Sequence, residues 1–292
     1  ARIDGVPINL RSHGHGQGYL DLNFLIPELV ATSRYRKGTY RAAQGDFSTA
    51  GSVDFSSYDR LPERIAQLTI GEFGYGRALV AGSLETAAGT FTGAIDATRY
   101  DGPWELEENL EQYKLQGSYL MELGDNRLRL GYRGYRSDWD ATDQVPRRAV
   151  ASGRIDRLGF LDPDLGGSTE RHEMTVDLAG DGWQAGAYAV SYDFTLFSNF
   201  TYFLDNPADG DEFEQRDERL YWGLWGDAVR EAELAGRPLL LRWGGELRTD
   251  DIDAVGLYLT TARQQRETVR EDRIEERSAA AWGEAELALG NV

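Results

Sequence analysis

The sequence predicts an all-β protein: a small irregular α+β domain over residues 1–62, then about ten strands of an antiparallel transmembrane β-barrel over residues 63–292. Three observations predict it. From Glu63 onward, segments of about ten residues alternate apolar with polar at the period of a strand, which is the length a membrane-crossing strand requires. The connections between them fall into two classes, tight turns and long polar loops. Aromatic residues (Tyr113, Tyr132, Trp183, Tyr188, Trp222, Trp243) recur where interfacial girdles would lie.

Residues 1–62 are rich in Gly, Ser and Asp and carry short apolar runs, Ile3, Val6 and Ile8, then Leu22 to Leu29. Ile26 to Val30 reads as a short helix, with Pro27 in the first turn, where a missing N–H costs nothing. Gly38, Gly45 and Gly51 suit positive-φ turns between short strands. Strands follow near 65–74, 76–84, 88–99, 110–123, 126–136, 169–179, 182–197, 217–227, 238–248 and 273–288. In the clearest hairpin, Tyr113, Leu115, Tyr119, Met121 and Leu123, then Leu128, Leu130 and Tyr132, form a greasy face. Arg127, Arg129 and Arg133 line the other side. Met174, Val176 and Leu178 alternate likewise, followed past Gly180-Asp181-Gly182 by Tyr188, Val190, Tyr192, Phe194 and Leu196. Residues 137–168, 198–216 and 249–272 read as long charged loops. The link 228–237 is longer than the short-turn rule favours.

Composition removes several classes of function. With 49 acidic and 31 basic residues the net charge is -18, which repels nucleic acid. There is no cysteine, so no disulfide framework, thiolate metal site or cysteine nucleophile exists. Mean hydropathy is -0.51 and no stretch approaches the ~18 apolar residues of a membrane helix, a test blind to barrels. No phosphate-binding loop, dinucleotide fingerprint, nucleophile elbow or zinc helix is present, and neither an enzyme nor a resident cofactor or metal is expected. The chain opens Ala1-Arg2-Ile3 with no initiator methionine, so a signal peptide is expected to precede it. Two alternatives remain open. In a soluble β-sandwich lectin or glycosidase, Tyr113, Tyr119, Trp222 and Leu241 would lie under a second sheet. A passive porin would lack a domain like residues 1–62.

Arg2-Ile3-Asp4-Gly5-Val6-Pro7-Ile8-Asn9, Ile26-Pro27-Glu28-Leu29-Val30, Tyr35-Arg36-Lys37-Gly38 and Gly45-Asp46-Phe47 through Gly51-Ser52-Val53 follow one another in fixed order. In order and spacing they resemble the C-terminal half of the plug domain of TonB-dependent outer-membrane receptors. Ser52 to Asp59 departs from the aliphatic strand of the commoner pattern. Tyr100-Asp101-Gly102-Pro103-Trp104 and Asp250 to Tyr258 also resemble the family, at or beyond the outer rim. The resemblance implies a plugged barrel of about 22 strands, of which about ten are here. It implies an importer in the Gram-negative outer membrane, embedded in lipid and lipopolysaccharide and energised by TonB through a segment before residue 1. Its substrate would be a ferric siderophore or another metal chelate, carbohydrate and cobalamin remaining open. Leu287 to Val292 lacks the terminal aromatic residue of such barrels, so the chain is expected to stop mid-barrel.

The candidate ligand-binding residues are Arg11, His13, His15, Gln17 and Tyr19, on the glycine-rich stretch Arg11 to Tyr19. In the family this loop faces the external vestibule. Two readings stand side by side: both histidines contact a metal chelate, or both hydrogen-bond to the barrel wall with the glycines serving backbone geometry. Arg127, Arg129, Arg133, Arg242 and Arg248 either attract an anionic ligand or pair with plug and wall carboxylates. The acidic run Asp205 to Glu218 and Asp250-Asp251-Ile252-Asp253 are solvated loops or cation sites, without the spacing of a calcium loop.

Overall fold

A computed structural model describes residues 1–289, so the C-terminal tip, Gly290 to Val292, lies outside the described residues. The N-terminal segment forms a four-stranded sheet from β1 (Arg2–Ile3), β2 (Val6–Pro7), β3 (Val30–Lys37) and β4 (Gly51–Ser57), in the order β2-β1-β4-β3. β1 and β2 are joined by Asp4-Gly5, whose φ values of 48° and 80° make the tight turn that Asp-Gly favours. The helix expected at Ile26 to Val30 is one 3-10 turn, Pro27–Leu29, with proline at its start.

Ten further strands make one antiparallel sheet in sequence order: β5 (Ile65–Ile70), β6 (Gly76–Thr86), β7 (Gly89–Tyr100), β8 (Leu110–Leu123), β9 (Asn126–Asp140), β10 (Gly166–Gly180), β11 (Trp183–Ser198), β12 (Phe213–Leu234), β13 (Arg237–Thr261) and β14 (Gln264–Leu287). The fold is all-β, as expected. One face touches the N-terminal segment. On the other, Tyr113 is 53% and Trp222 46% exposed, so no second sheet covers them among the described residues.

Three expectations are corrected. First, residues 249–272 are not a long loop: β13 and β14 run through them to a two-residue turn, Ala262-Arg263. The same holds for 228–237, where β12 and β13 meet at Ala235-Gly236. Charges on both faces, as at Asp250 and Asp251 of β13 and along Arg266 to Asp272 of β14, interrupt the period-two hydropathy there. Second, Asp250 to Asp253 therefore sits within β13. Asp250 is buried against Arg248 and Arg219, and Asp253 pairs with Arg273 on the outer face. Third, Tyr188 belongs to no outer girdle. The turn at Asp181-Gly182 pairs Met174 with Ala189 and Thr175 with Tyr188, so Tyr188, Val190, Tyr192 and Phe194 face inward while Ala187, Ala189 and Ser191 face out.

The core explains that inversion. Val6 and Leu10 of the N-terminal segment pack against Tyr188, Val190, Tyr192, Phe194 and Tyr221 of the wall. Ile3, Ile8, Phe24 and Leu25 pack on Tyr135, and Ile26, Leu29 and Leu61 on Leu79, Ala81 and Ala94. Each cluster joins segment to wall, so the apolar core is the interface itself.

Ion pairs clamp the same interface. Asp4 accepts from Arg129 at 3.0 Å, from Arg133, and from both the backbone and hydroxyl of Ser57 at 2.8 Å. Arg133 continues to Glu173, which Arg171 also holds. Arg77 grips Glu28 with two hydrogen bonds, 2.7 and 2.9 Å, and Asp96 with its Nε at 2.7 Å. Arg248 donates to the carbonyl of Asn9 and Arg219 to that of Arg11. Of the inner-face arginines, Arg129 and Arg133 thus pair with carboxylates of the segment or wall, Arg248 with Asp250, and Arg242 with Glu284.

Candidate functional site

The long loops 141–165 and 199–212 lie at one end of the sheet, together with the Ala262-Arg263 turn, and the tight turns at Gly124-Asp125, Asp181-Gly182 and Ala235-Gly236 lie at the other. At the long-loop end, a bridge between Leu10 and Tyr19 closes the Arg11 to Gly18 loop and presents it as the apex of the N-terminal segment.

The structure divides the five candidate residues into two groups. Arg11 points sideways, donating to Ser278 at 2.9 Å and Asp46 at 2.8 Å. His13 is 5% exposed and lies flat on Tyr19, ring centroids 4.2 Å apart. Its Nδ1 accepts the His15 backbone N–H at 3.0 Å, so its proton sits on Nε2, which faces the Tyr192 hydroxyl at 3.3 Å. Burial, with Arg219 and His15 nearby, lowers its pKa to about 3, which keeps the ring neutral. Both nitrogens of His13 are therefore engaged.

His15, Gln17 and Tyr19 stand differently. His15 is exposed. Its Nδ1 lies 2.9 Å from Gln215 Oε1, and since the Gln215 amide donates to the Gly14 carbonyl at 3.0 Å, that oxygen is an acceptor and Nδ1 carries the proton. Nε2 is left as a lone pair with no partner among the described residues. Gln17 is exposed beside it. Tyr19 is half-buried, and burial together with Asp21 raises its hydroxyl to about 12, so it stays a neutral donor.

Between this apex and the wall lies a chamber of about 250 Å³. His15, Tyr19, Asp21 and Asn23 form one side, and Tyr135, Trp139 and Phe194 present aromatic rings from the other. Gln112, Ser137 and Thr169 add polar groups. A few convergent polar groups among aromatic walls suit a small molecule. Sequence reading missed the wall half, because Phe194 alternates like a lipid-facing residue and Tyr135 and Trp139 sit in a stretch polar on both faces. A larger cavity, about 620 Å³, lies toward the short-turn end, with Asp4, Arg129, Asp177, Trp225 and Trp282 among its lining.

No protein-family model matches the chain, and no curated protein matches it. Solved structures do. The chain is similar to the ferric citrate transporter FecA in its unliganded form, with TM-score 0.77 and 11% identity over 99% of this chain and 45% of that one. It is similar to the siderophore receptor PirA from Acinetobacter baumannii, with TM-score 0.67 and 14% identity over 99% of this chain and 46% of that one. It is similar also to the hemophore receptor HasR from Serratia marcescens, with TM-score 0.57 and 13% identity over 98% and 51%. The fold matches the partial β-barrel of TonB-dependent receptors, and the chain spans about half the length of the structures it matches.

Proposed function

We propose that this chain, with that fold, supplies the plug end and first barrel half of a TonB-dependent receptor that imports a scarce metal chelate, a ferric siderophore in the simplest case. Residues 1–62 are then plug and 63–292 barrel. The long loops reach outside the cell, and the outer face meets lipid and lipopolysaccharide. One observation supports the reading most: the plug is held in the wall by buried ion pairs while its apex fronts a ligand-sized chamber. Such a plug does not leave without work, which the TonB complex supplies.

His15, through its free Nε2, with Gln17 and Tyr19, is the proposed ligand contact, and Arg11 and His13 hold the apex in shape. The test uses the full-length parent protein in detergent and a panel of ferric chelates, read by tryptophan quenching. His15→Ala is expected to weaken the best-bound chelate by tenfold or more. Unchanged binding would remove the apex from the ligand site, and recovery of the parent as a detergent-free soluble monomer would sink the receptor reading.

Lipid contact makes a separate prediction. Met174→Arg and Ala189→Arg are each expected to cost the folded barrel ~2–4 kcal/mol, the depth-dependent penalty of a cation facing the bilayer midplane. Equilibrium refolding into lipid vesicles measures it. A neutral Ala189→Arg would mean that β11 faces the other way.

A further inference from the structure

We propose that Asp162, Asp164 and Glu212 form a divalent-cation site, of the calcium class, that ties together the loops at the long-loop end. One oxygen from each lies within 4.8 Å of the others, drawn from the 141–165 loop and from the end of the 199–212 loop. Two oxygens sharing an ion at ~2.4 Å can be at most ~4.8 Å apart, so the three carboxylates are close enough to share a calcium ion, which takes oxygen ligands.

Glu212 is the anomaly that points to an ion. Among the described residues the buried carboxylates are Asp96, Glu173, Glu212, Glu214, Asp217 and Asp250. Five of them lie against an arginine. Glu212, 3% exposed, has no basic partner; its oxygens accept the backbone N–H groups of Ala262 and Arg263, at 3.1 and 2.9 Å. An unpaired buried charge is costly unless it is neutralised or coordinates a metal. Arg263 does not serve, since its guanidinium is spent on the carbonyls of Asp164 and Leu165 and on Asp140.

A second group faces the same place. Thr260 is fully buried, and its hydroxyl lies beside the Glu212 carboxyl without a well-formed hydrogen bond to any described residue. Asp164 offers a carboxylate that accepts no hydrogen bond among the described residues. Asp162 is oriented by the Asn199 amide at 2.8 Å and the Asp164 N–H at 3.1 Å. Burial, and the charges of Asp162 and Asp164, raise the pKa of Glu212, a self-repulsion that a cation removes. Bound there, the ion would join the 141–165 loop to the 199–212 loop and to the β13–β14 turn.

The test titrates Tb3+ into the full-length parent protein in detergent, reads sensitised luminescence, and displaces it with Ca2+. A saturable signal competed by Ca2+ is expected, weakened tenfold or more in Asp164→Asn and in Glu212→Gln and unchanged in Asp209→Asn. Trypsin supplies a second readout, because Arg147, Arg148, Arg154 and Arg157 lie in the clasped loop. Ca2+ is expected to slow cleavage there in the parent and not in Asp164→Asn. A signal that Ca2+ does not displace, or identical titrations in parent and Asp164→Asn, overturns the site. Neither readout depends on what the receptor imports.

Discussion

Asp4→Asn is expected to unlatch the plug. Asparagine tolerates the left-handed φ of 48° at this position, so the β1–β2 turn survives while the charge is lost. Arg129 and Arg133 then sit buried without their shared carboxylate, and removing one partner from a buried pair costs ~3–5 kcal/mol. In planar bilayers the full-length parent carrying Asp4→Asn should show frequent channel openings at urea concentrations where the unaltered protein stays closed. The pH dependence has a definite sign. Burial opposes ionisation of Asp4, but Arg133, Arg129 and the Ser57 donors outweigh it and hold the pKa at about 2. A depressed carboxylate pKa contributes stability above its unfolded value of 3.8 that is lost as pH falls through about 2. The unaltered latch should therefore loosen across that window, and the Asp4→Asn variant should show no such step. Closed channels in both at low pH would refute the latch.

Gly5→Ala is expected to do comparable damage by a different route. Gly5 has φ of 80°, and a Cβ there would lie 2.3 Å from the Trp225 ring. The substitution thus combines backbone strain, ~1 kcal/mol, with a collision against a ring packed on the core. The two costs separate experimentally. Trp225→Ala in the Gly5→Ala background should relieve the collision and leave the strain, recovering part of the plug's resistance to urea. If the double variant is no better than Gly5→Ala alone, the ring is not the obstacle.

Much of this arrangement was legible. The Pro27 turn, ten strands, and the arginine face of β9 all follow from residue type and period. The orientation of β11 was also within reach, since a two-residue turn at Asp181-Gly182 puts Met174 opposite Ala189 and so turns Tyr188 inward. What misled was the assumption that a greasy face meets lipid; here it meets Val6 and Leu10 of the N-terminal segment. The upper halves of β13 and β14 were hidden for a plainer reason. Charges on both faces, such as Asp250 inside and Asp251 outside, erase the hydropathy period. At the apex, sequence paired His13 with His15, while only tertiary contacts with Tyr192 and Gln215 tell one histidine's role from the other's.

The long strands do not grow at one end alone. β13 has 25 residues and β7 has 12, so at ~3.3 Å per residue they measure about 80 and 40 Å along their axes. At the long-loop end β13 outruns β12 only by Thr260 and Thr261, whereas at the short-turn end Val229 to Leu234 of β12 stay paired with Arg237 to Arg242 of β13 beyond Trp183, the last residue of β11 to pair there. A change in that projecting ladder is therefore felt on the side away from the long loops, and it leaves the chamber beside Tyr19 untouched.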